Sequence, residues 1–142
     1  MASTGVTKVA ELRRHVQDPR TVTVEDKDGT RWKFSILPVS MFLWDETAEW
    51  MQSMTKDHKD FLKKVEEAVR APSQVVLRKV ICNAVQEPKI TMDADKDGVD
   101  IKDFMRHDLL VVNLYTEIVK LSFSGILKLE ATDARSTTTS SR

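Results

Sequence analysis

The sequence predicts an α+β fold that is predominantly α, with an N-terminal β-hairpin packed on a bundle of about four helices. Two observations predict it. Two alternating apolar runs flank an Asp-Gly pair near the N-terminus, and apolar residues recur at helical spacing through most of the remaining chain. The length of 142 residues and the hydrophobic content of 41% suit one globular domain, which we expect over residues 1–130. The polar segment 131–142 has no large apolar side chain to anchor it, so we expect a disordered tail there.

The charge balance and the cysteine count exclude several classes of protein. Lys plus Arg and Asp plus Glu both number 22, so the chain has no net field to hold nucleic acid or an anionic membrane. A single cysteine cannot form an intrachain disulfide, and no apolar run approaches the ~20 residues of a membrane-spanning helix. We therefore expect neither a nucleic-acid partner nor a membrane partner.

The first elements are a short helix and a hairpin. Apolar residues at helical spacing predict a helix over Val6–Val16, which Pro19 ends. Strands over Thr21–Glu25 and Thr30–Ile36 follow, joined by a turn in which Gly29 supplies a positive φ. Alternation places three apolar residues on the face of the second strand that should pack on the helices: Trp32, Phe34 and Ile36.

A wide apolar arc marks the next predicted helix, Met41–Met54, with Ser40 as its N-cap. The arc covers half of the helix circumference, more than one core contact uses. One interpretation is a core helix. The other is a helix with a core edge and a partner edge, in which the partner-binding residues are Trp44, Trp50, Met51 and Met54.

Three further helices complete the predicted bundle. They run over Lys56–Val69, from a cap at Ser73 to before Pro88, and from Asp100 or Asp108 to Ser124 with Gly125 as the stop. The last helix has only a narrow polar strip, formed by Asn113, Glu117, Lys120 and Ser124. Such a helix is either buried at the centre of the domain or shared with another chain, which is a second copy or a client.

One acidic loop imitates the opening of a calcium-binding loop. Asp93, Asp95 and Asp97 occupy the first, third and fifth positions and Gly98 the sixth, so these carboxylates are the candidate metal ligands. The position of the bidentate Glu is occupied by Phe104. We therefore expect an acidic turn with no calcium requirement, and no cofactor.

No set of residues suggests catalysis. Cys82 lies in an apolar neighbourhood, the three histidines are far apart in sequence, and the four glycines are isolated. An active site normally needs a convergent set of titratable groups, so we expect a protein that is not an enzyme.

The order of features resembles the tail assembly chaperones of long-tailed bacteriophages, over roughly residues 20–126. The segments that carry the resemblance are "GTRWKFSILPVS", "VVLRKVICNAVQEPKIT" and "DIKDFMRHDLLVVNLYTEIVKLSFSG". The family's Ala-Val-x-x-Pro-like phrase before an acidic loop matches Ala84, Val85 and Pro88. Its closing helical rhythm is approximated by Asp108, Leu110, Tyr115, Ile118, Leu121 and Ser122.

The resemblance implies a non-enzymatic assembly factor. Such proteins coat the hydrophobic tape-measure protein in the host cell cytoplasm until tail-tube subunits polymerise around it. They are often made in a short form and a frameshifted longer form, which would place the polar tail from Thr132 to Arg142 near the frameshift point. Two alternatives stay open: a structural protein of the virion, such as a head–tail connector or tail component, and a calcium-binding module through Asp93–Gly98.

Overall fold

The computed structural model of the chain describes residues 5–93 and 97–124. It confirms an α+β fold that is mainly helical. The predicted tail of residues 131–142 and the predicted domain boundary at residue 130 lie outside the described residues. In chain order the elements are α1 (Val9–Gln17), β1 (Arg20–Glu25), β2 (Arg31–Ile36), a 3₁₀ helix (Met41–Trp44), α2 (Trp50–Lys56), α3 (His58–Arg70), α4 (Gln74–Ala84), β3 (Val85–Glu87), β4 (Ile90–Thr91), β5 (Val99–Asp100), α5 (Ile101–Phe104) and α6 (Asp108–Phe123).

The predicted hairpin is present. β1 and β2 pair antiparallel, with Val24 opposite Trp32. In the turn the amide of Asp26 donates to the carbonyl of Thr30 at 2.9 Å, and that of Gly29 donates to the Asp26 carbonyl at 3.0 Å. Gly29 has a φ of 86°, the conformation for which glycine was expected there.

A third strand, which the sequence pattern did not predict, joins the hairpin. β3 pairs antiparallel with β2, and the sheet order is β1-β2-β3. It follows α4 without a loop, so the helix ends at Ala84 rather than just before Pro88. The Ala84 carbonyl accepts the amide of Leu37 at 2.9 Å, which ties the end of α4 to the chain after β2. β4 and β5 form a separate parallel pair on either side of the acidic loop.

The predicted helix Met41–Met54 is wrong, because the chain forms a 3₁₀ turn and then a separate helix, α2. Ser40 does cap the 3₁₀ helix, and its hydroxyl accepts the Phe42 amide at 3.1 Å. The interruption comes from Asp45, whose carboxylate accepts the amides of Glu49 at 3.2 Å and Trp50 at 2.9 Å. A side chain that takes backbone amides in this way competes with helix continuation. Ala48 lies in the break with a φ of 61°.

The core lies between the inner face of the sheet and the helices α3, α4 and α6. α3 forms close to the predicted range and presents an apolar stripe, of which Phe61, Val65 and Val69 are buried. α4 begins after Ser73, whose hydroxyl accepts the Val76 amide at 3.2 Å as predicted. Both predicted starts of the last helix are used, since Asp100 caps α5 and α6 begins at Asp108. α6 is central to the core, where it buries Leu110, Val111, Leu114, Ile118, Val119 and Phe123.

Two groups of apolar residues are left exposed, and one of them, Trp32, was predicted to pack on the helices. Trp32 is 49% exposed, although Phe34 and Ile36 on the same strand face are buried. It stands at the turn end of the hairpin, where it borders an open groove. α1 forms as predicted, but its apolar stripe of Val9, Leu12 and Val16 is exposed.

Candidate partner-binding surface

Trp44 is a core residue and is not available to a partner in this structure, which corrects its assignment to a partner edge. Its side chain is 3% exposed. The ring lies edge-on to Phe123, with centroids 5.1 Å apart, and the indole N–H donates to the Tyr115 hydroxyl at 3.0 Å. The break at Asp45 explains this position, because the 3₁₀ turn directs Trp44 inward independently of α2.

Tyr115 completes a polar connection inside the bundle. Its hydroxyl accepts the Trp44 indole N–H and donates to the carbonyl of Val69 at 2.6 Å. Burial raises the pKa of Tyr115 to about 12, and the hydrogen bond from Trp44 opposes that rise. The phenol therefore stays protonated through the physiological range and serves as a structural link between the 3₁₀ helix, α3 and α6.

The other three predicted partner residues lie on α2 and differ in exposure. Trp50 packs edge-on against Phe61, with centroids 5.9 Å apart. Met54 is half-buried against the core, whereas Met51 is 63% exposed. Among the four residues predicted to bind a partner, Met51 is the one that stays mostly exposed. Trp50 has one edge against the core and one edge towards solvent.

The structure brings together an apolar groove that the sequence pattern did not reveal. We call it the hairpin groove. It has a volume of about 230 Å³ and apolar walls formed by Trp32, Phe34, Pro88, Ile90, Val99, Phe104 and Leu110. Phe34 and Phe104 meet edge to face with centroids 6.0 Å apart. Trp32 and Val99 keep much of their surface exposed, so the groove offers apolar area at the protein surface.

Polar side chains stand at the rim of the hairpin groove. Asp26, Asp103 and His107 line it, and Nδ1 of His107 lies 3.4 Å from a carboxylate oxygen of Asp26. Beside them Nζ of Lys27 lies 2.8 Å from the carboxylate of Asp108. Their hydrogen bond raises the pKa of Lys27 and lowers the pKa of Asp108. The rim therefore combines two acidic side chains of the groove with an ion pair that anchors the start of α6 to the hairpin turn.

The hairpin groove could not be read from residue spacing, because three stretches of the chain form it: the hairpin, residues 88–90 and residues 99–110. Pairing of β2 with β3 places Pro88 beside Phe34, and pairing of β4 with β5 places Ile90 beside Val99. Only Trp32 carries a signal, as a large aromatic residue in a strand, and the alternation of the strand predicts that it packs on the helices.

The candidate metal ligands are only partly described. Asp93 follows β4, where its carbonyl accepts the Thr91 hydroxyl at 2.6 Å, and Asp95 lies outside the described residues. Over residues 5–93 and 97–124, no group of three or more His, Cys, Asp or Glu side chains is placed to hold a metal ion. The strand β4 stands where a calcium-binding loop would have its entering helix.

Cys82 has the environment of a packing residue. It is half-buried against the core. Burial raises the pKa of the thiol, and the nearby charge of Asp100 raises it further. Since the thiolate is the nucleophilic form, these surroundings disfavour nucleophilic chemistry at Cys82.

Comparison with protein-family models, with curated proteins and with solved structures finds no match to this chain. Within the described part of the chain, no helix combines the length and the apolar character needed to cross a membrane.

Proposed function

We propose that this protein is a tail assembly chaperone of a long-tailed bacteriophage, which binds the tape-measure protein in the host cytoplasm and keeps it soluble before the tail forms. The sequence resemblance given above suggests the family. The single structural observation that supports a client-binding role is the hairpin groove, which exposes an apolar surface around Trp32.

Trp32 is the main contact that we assign to the client. About half of this side chain is exposed, on the order of 100 Å² for an aromatic residue. Covering that area with apolar client atoms would contribute about 2–3 kcal/mol at ~25 cal/mol per Å². Because the groove is bounded by Phe34, Phe104 and Leu110, apolar side chains from one face of a client helix have a surface to contact.

The groove also suits a contact that must later be released. The groove is small, and its rim carries Asp26, Asp103 and His107. A client held mainly by one apolar anchor gains enough affinity to stay covered but dissociates when tube subunits compete for it. Met51 on α2 is a second exposed contact in this proposal.

Co-expression with the tape-measure protein tests the proposal. We expect more soluble client in the presence of this protein and a complex that survives purification. Trp32→Ala should weaken the complex at least about tenfold, as loss of an interface anchor does. Val75→Ala is the matched control, since Val75 is 59% exposed on α4 and does not line the hairpin groove.

Two results would contradict the proposal. If the client is equally soluble with and without this protein and no complex is recovered, the chaperone function is wrong. If the protein is found in purified mature particles at a fixed ratio to other tail proteins, it is a structural protein of the virion.

A further inference from the structure

The outer edge of β1 carries backbone groups that point away from the sheet. β1 is the first strand in the order β1-β2-β3. The Asp26 amide donates across the hairpin to Thr30. Since hydrogen-bonding direction alternates along a strand, Arg20, Val22 and Val24 also face β2, whereas Thr21, Thr23 and Glu25 face outward.

This edge is open over most of its length. The side-chain amide of Asn113 donates to the Glu25 carbonyl at 2.9 Å, which covers one end and confirms that this carbonyl points outward. Within the described residues, no group outside the hairpin bonds to the backbone of Thr21 or Thr23, and both side chains are exposed. Unpaired strand edges of this kind accept a further strand.

We propose that β1 pairs antiparallel with β1 of a second copy of this protein, about a twofold axis at Thr23. Only residues of the same hydrogen-bonding direction can lie opposite each other in an antiparallel pair. The register centred on Thr23 places Thr21 opposite Glu25 and pairs all three outward residues. The Glu25 carbonyl serves both Asn113 and the incoming amide, because a carbonyl oxygen has two lone pairs.

The side chains are self-complementary in this register. Arg20 of each copy lies opposite Asp26 of the other, and Val22 lies opposite Val24. Arg20 is exposed and forms no ion pair within the described residues. In the dimer its opposite charge is the Asp26 carboxylate of the second copy, which also lies 3.4 Å from Nδ1 of its own His107. Val22 is half-buried in the single chain and gains an apolar neighbour. Opposite charges and β-branched pairs directly across strands are both stabilising.

α1 gives the pairing additional apolar surface. Two residues separate α1 from β1, so the antiparallel arrangement places the end of each α1 near the hairpin turn of the partner copy. In each copy that turn contacts the start of α6 through Lys27 and Asp108. Leu109 and Val112 are exposed there, and the α1 stripe is exposed as well. Strand pairing alone is marginal in water, so contact between these two apolar surfaces is what stabilises the dimer.

Cysteine cross-linking tests the register directly, with Cys82→Ala as the common background. In the proposed dimer the two Thr23 Cα atoms form a pair about 5.5 Å apart, within disulfide range. The two Thr21 Cα atoms are offset by four positions along the strands, more than about 13 Å, which is beyond that range. We expect Thr23→Cys to form a disulfide-linked dimer at least about tenfold faster than Thr21→Cys under mild oxidation. Equal rates for the two variants would overturn the register.

A charge substitution tests the dimer without a cross-link. Sedimentation of the purified protein alone should show a monomer–dimer equilibrium. Arg20→Asp should raise its dissociation constant at least about tenfold, because two carboxylates then face each other. Arg20→Lys should leave it within about threefold, as should the control Lys59→Asp on α3. A sample that stays monomeric at high micromolar concentration, together with no cross-link at position 23, would overturn the proposal. These measurements use no client, so their failure is separate from failure of the chaperone proposal.

Discussion

At the scale of single residues, the Tyr115 hydroxyl is a polar group with two hydrogen bonds in the interior. It receives one hydrogen bond and gives another, and both partners are themselves inside the fold. Removing the oxygen leaves the Trp44 indole N–H and the Val69 carbonyl without this partner. We expect Tyr115→Phe to lower the free energy of unfolding by about 1–3 kcal/mol at neutral pH, measured by denaturant titration.

The same residue predicts a loss of stability at alkaline pH. The pKa of Tyr115 is raised to about 12 in the folded protein, against about 10 for an unfolded tyrosine. Between these values the unfolded chain has lost the proton that the folded chain keeps. The contribution of this pKa difference to the free energy of unfolding is therefore complete below about pH 10 and is lost as pH rises to about 12. Because Tyr115 is partly in contact with solvent, we expect the loss in the free energy of unfolding to be no more than about 2 kcal/mol.

Comparison with Tyr115→Phe isolates this effect from the titration of lysines. The variant should lose less stability than the natural protein between pH 10 and pH 12. Equal slopes in the two proteins would contradict the assignment.

The two tryptophans at opposite extremes of burial should respond differently to removal. Trp44→Ala deletes a buried ring that touches Phe123 and Tyr115, so we expect a cost of about 4 kcal/mol. Trp32→Ala should cost about 1 kcal/mol, less than the roughly 3 kcal/mol expected of a buried ring, because half of the side chain is already in water. Chemical denaturation of both variants measures the difference, and similar costs would contradict the burial of Trp44.

At the scale of elements, the break between the 3₁₀ helix and α2 depends on two neighbouring residues. Asp45 holds the first amides of α2, and Ala48 adopts a left-handed conformation that disfavours residues with a Cβ. We expect Ala48→Gly to raise the free energy of unfolding by about 0.5–1 kcal/mol, because glycine adopts this φ without strain.

Ala71→Gly is the control for that prediction. Ala71 is also exposed and follows a helix, but its φ is −135°, so glycine only adds freedom to the unfolded chain there. This variant should be neutral or less stable in thermal denaturation. A similar gain for both variants would mean that the strain at Ala48 is not its cause.

These elements also show which parts of the fold can be predicted from sequence patterns. The hairpin and α3 were predictable because their signals are local: an Asp-Gly turn between alternating runs, and apolar residues three and four apart. The prediction of a continuous Met41–Met54 helix failed because apolar periodicity does not show that the Asp45 side chain competes for backbone amides. β3 is three residues long and continues directly from α4, so it has too little pattern of its own.

At the scale of the whole molecule, the sequence could not reveal the hairpin groove for a related reason. Its walls come from β2, the segment after β3, the β4–β5 pair, α5 and the start of α6. Non-local strand pairing brings them together, and periodicity contains no information about which strands pair. The predicted partner surface therefore lay on the Met41–Met54 helix, which the structure divides into two helices. Trp32, in contrast, was predicted to pack in the core.

The exposure of α1 gives a prediction for the molecule as a monomer. Leu12 is 56% exposed, whereas Leu114 on α6 is fully buried. At nanomolar concentration, we expect Leu12→Ala to change the free energy of unfolding by less than about 0.5 kcal/mol. Leu114→Ala should cost about 3–5 kcal/mol. A large effect of Leu12→Ala under these conditions would place α1 in the core of its own chain.

The opposite edge of the sheet has a consequence for aggregation. β3 offers only three residues, and Pro88 follows them with a ring nitrogen that carries no hydrogen. An incoming strand therefore finds few donors on that side, while the β1 edge is used up as soon as two copies pair. Strand addition thus ends after one step, and a concentrated solution should contain discrete particles rather than growing β-fibrils.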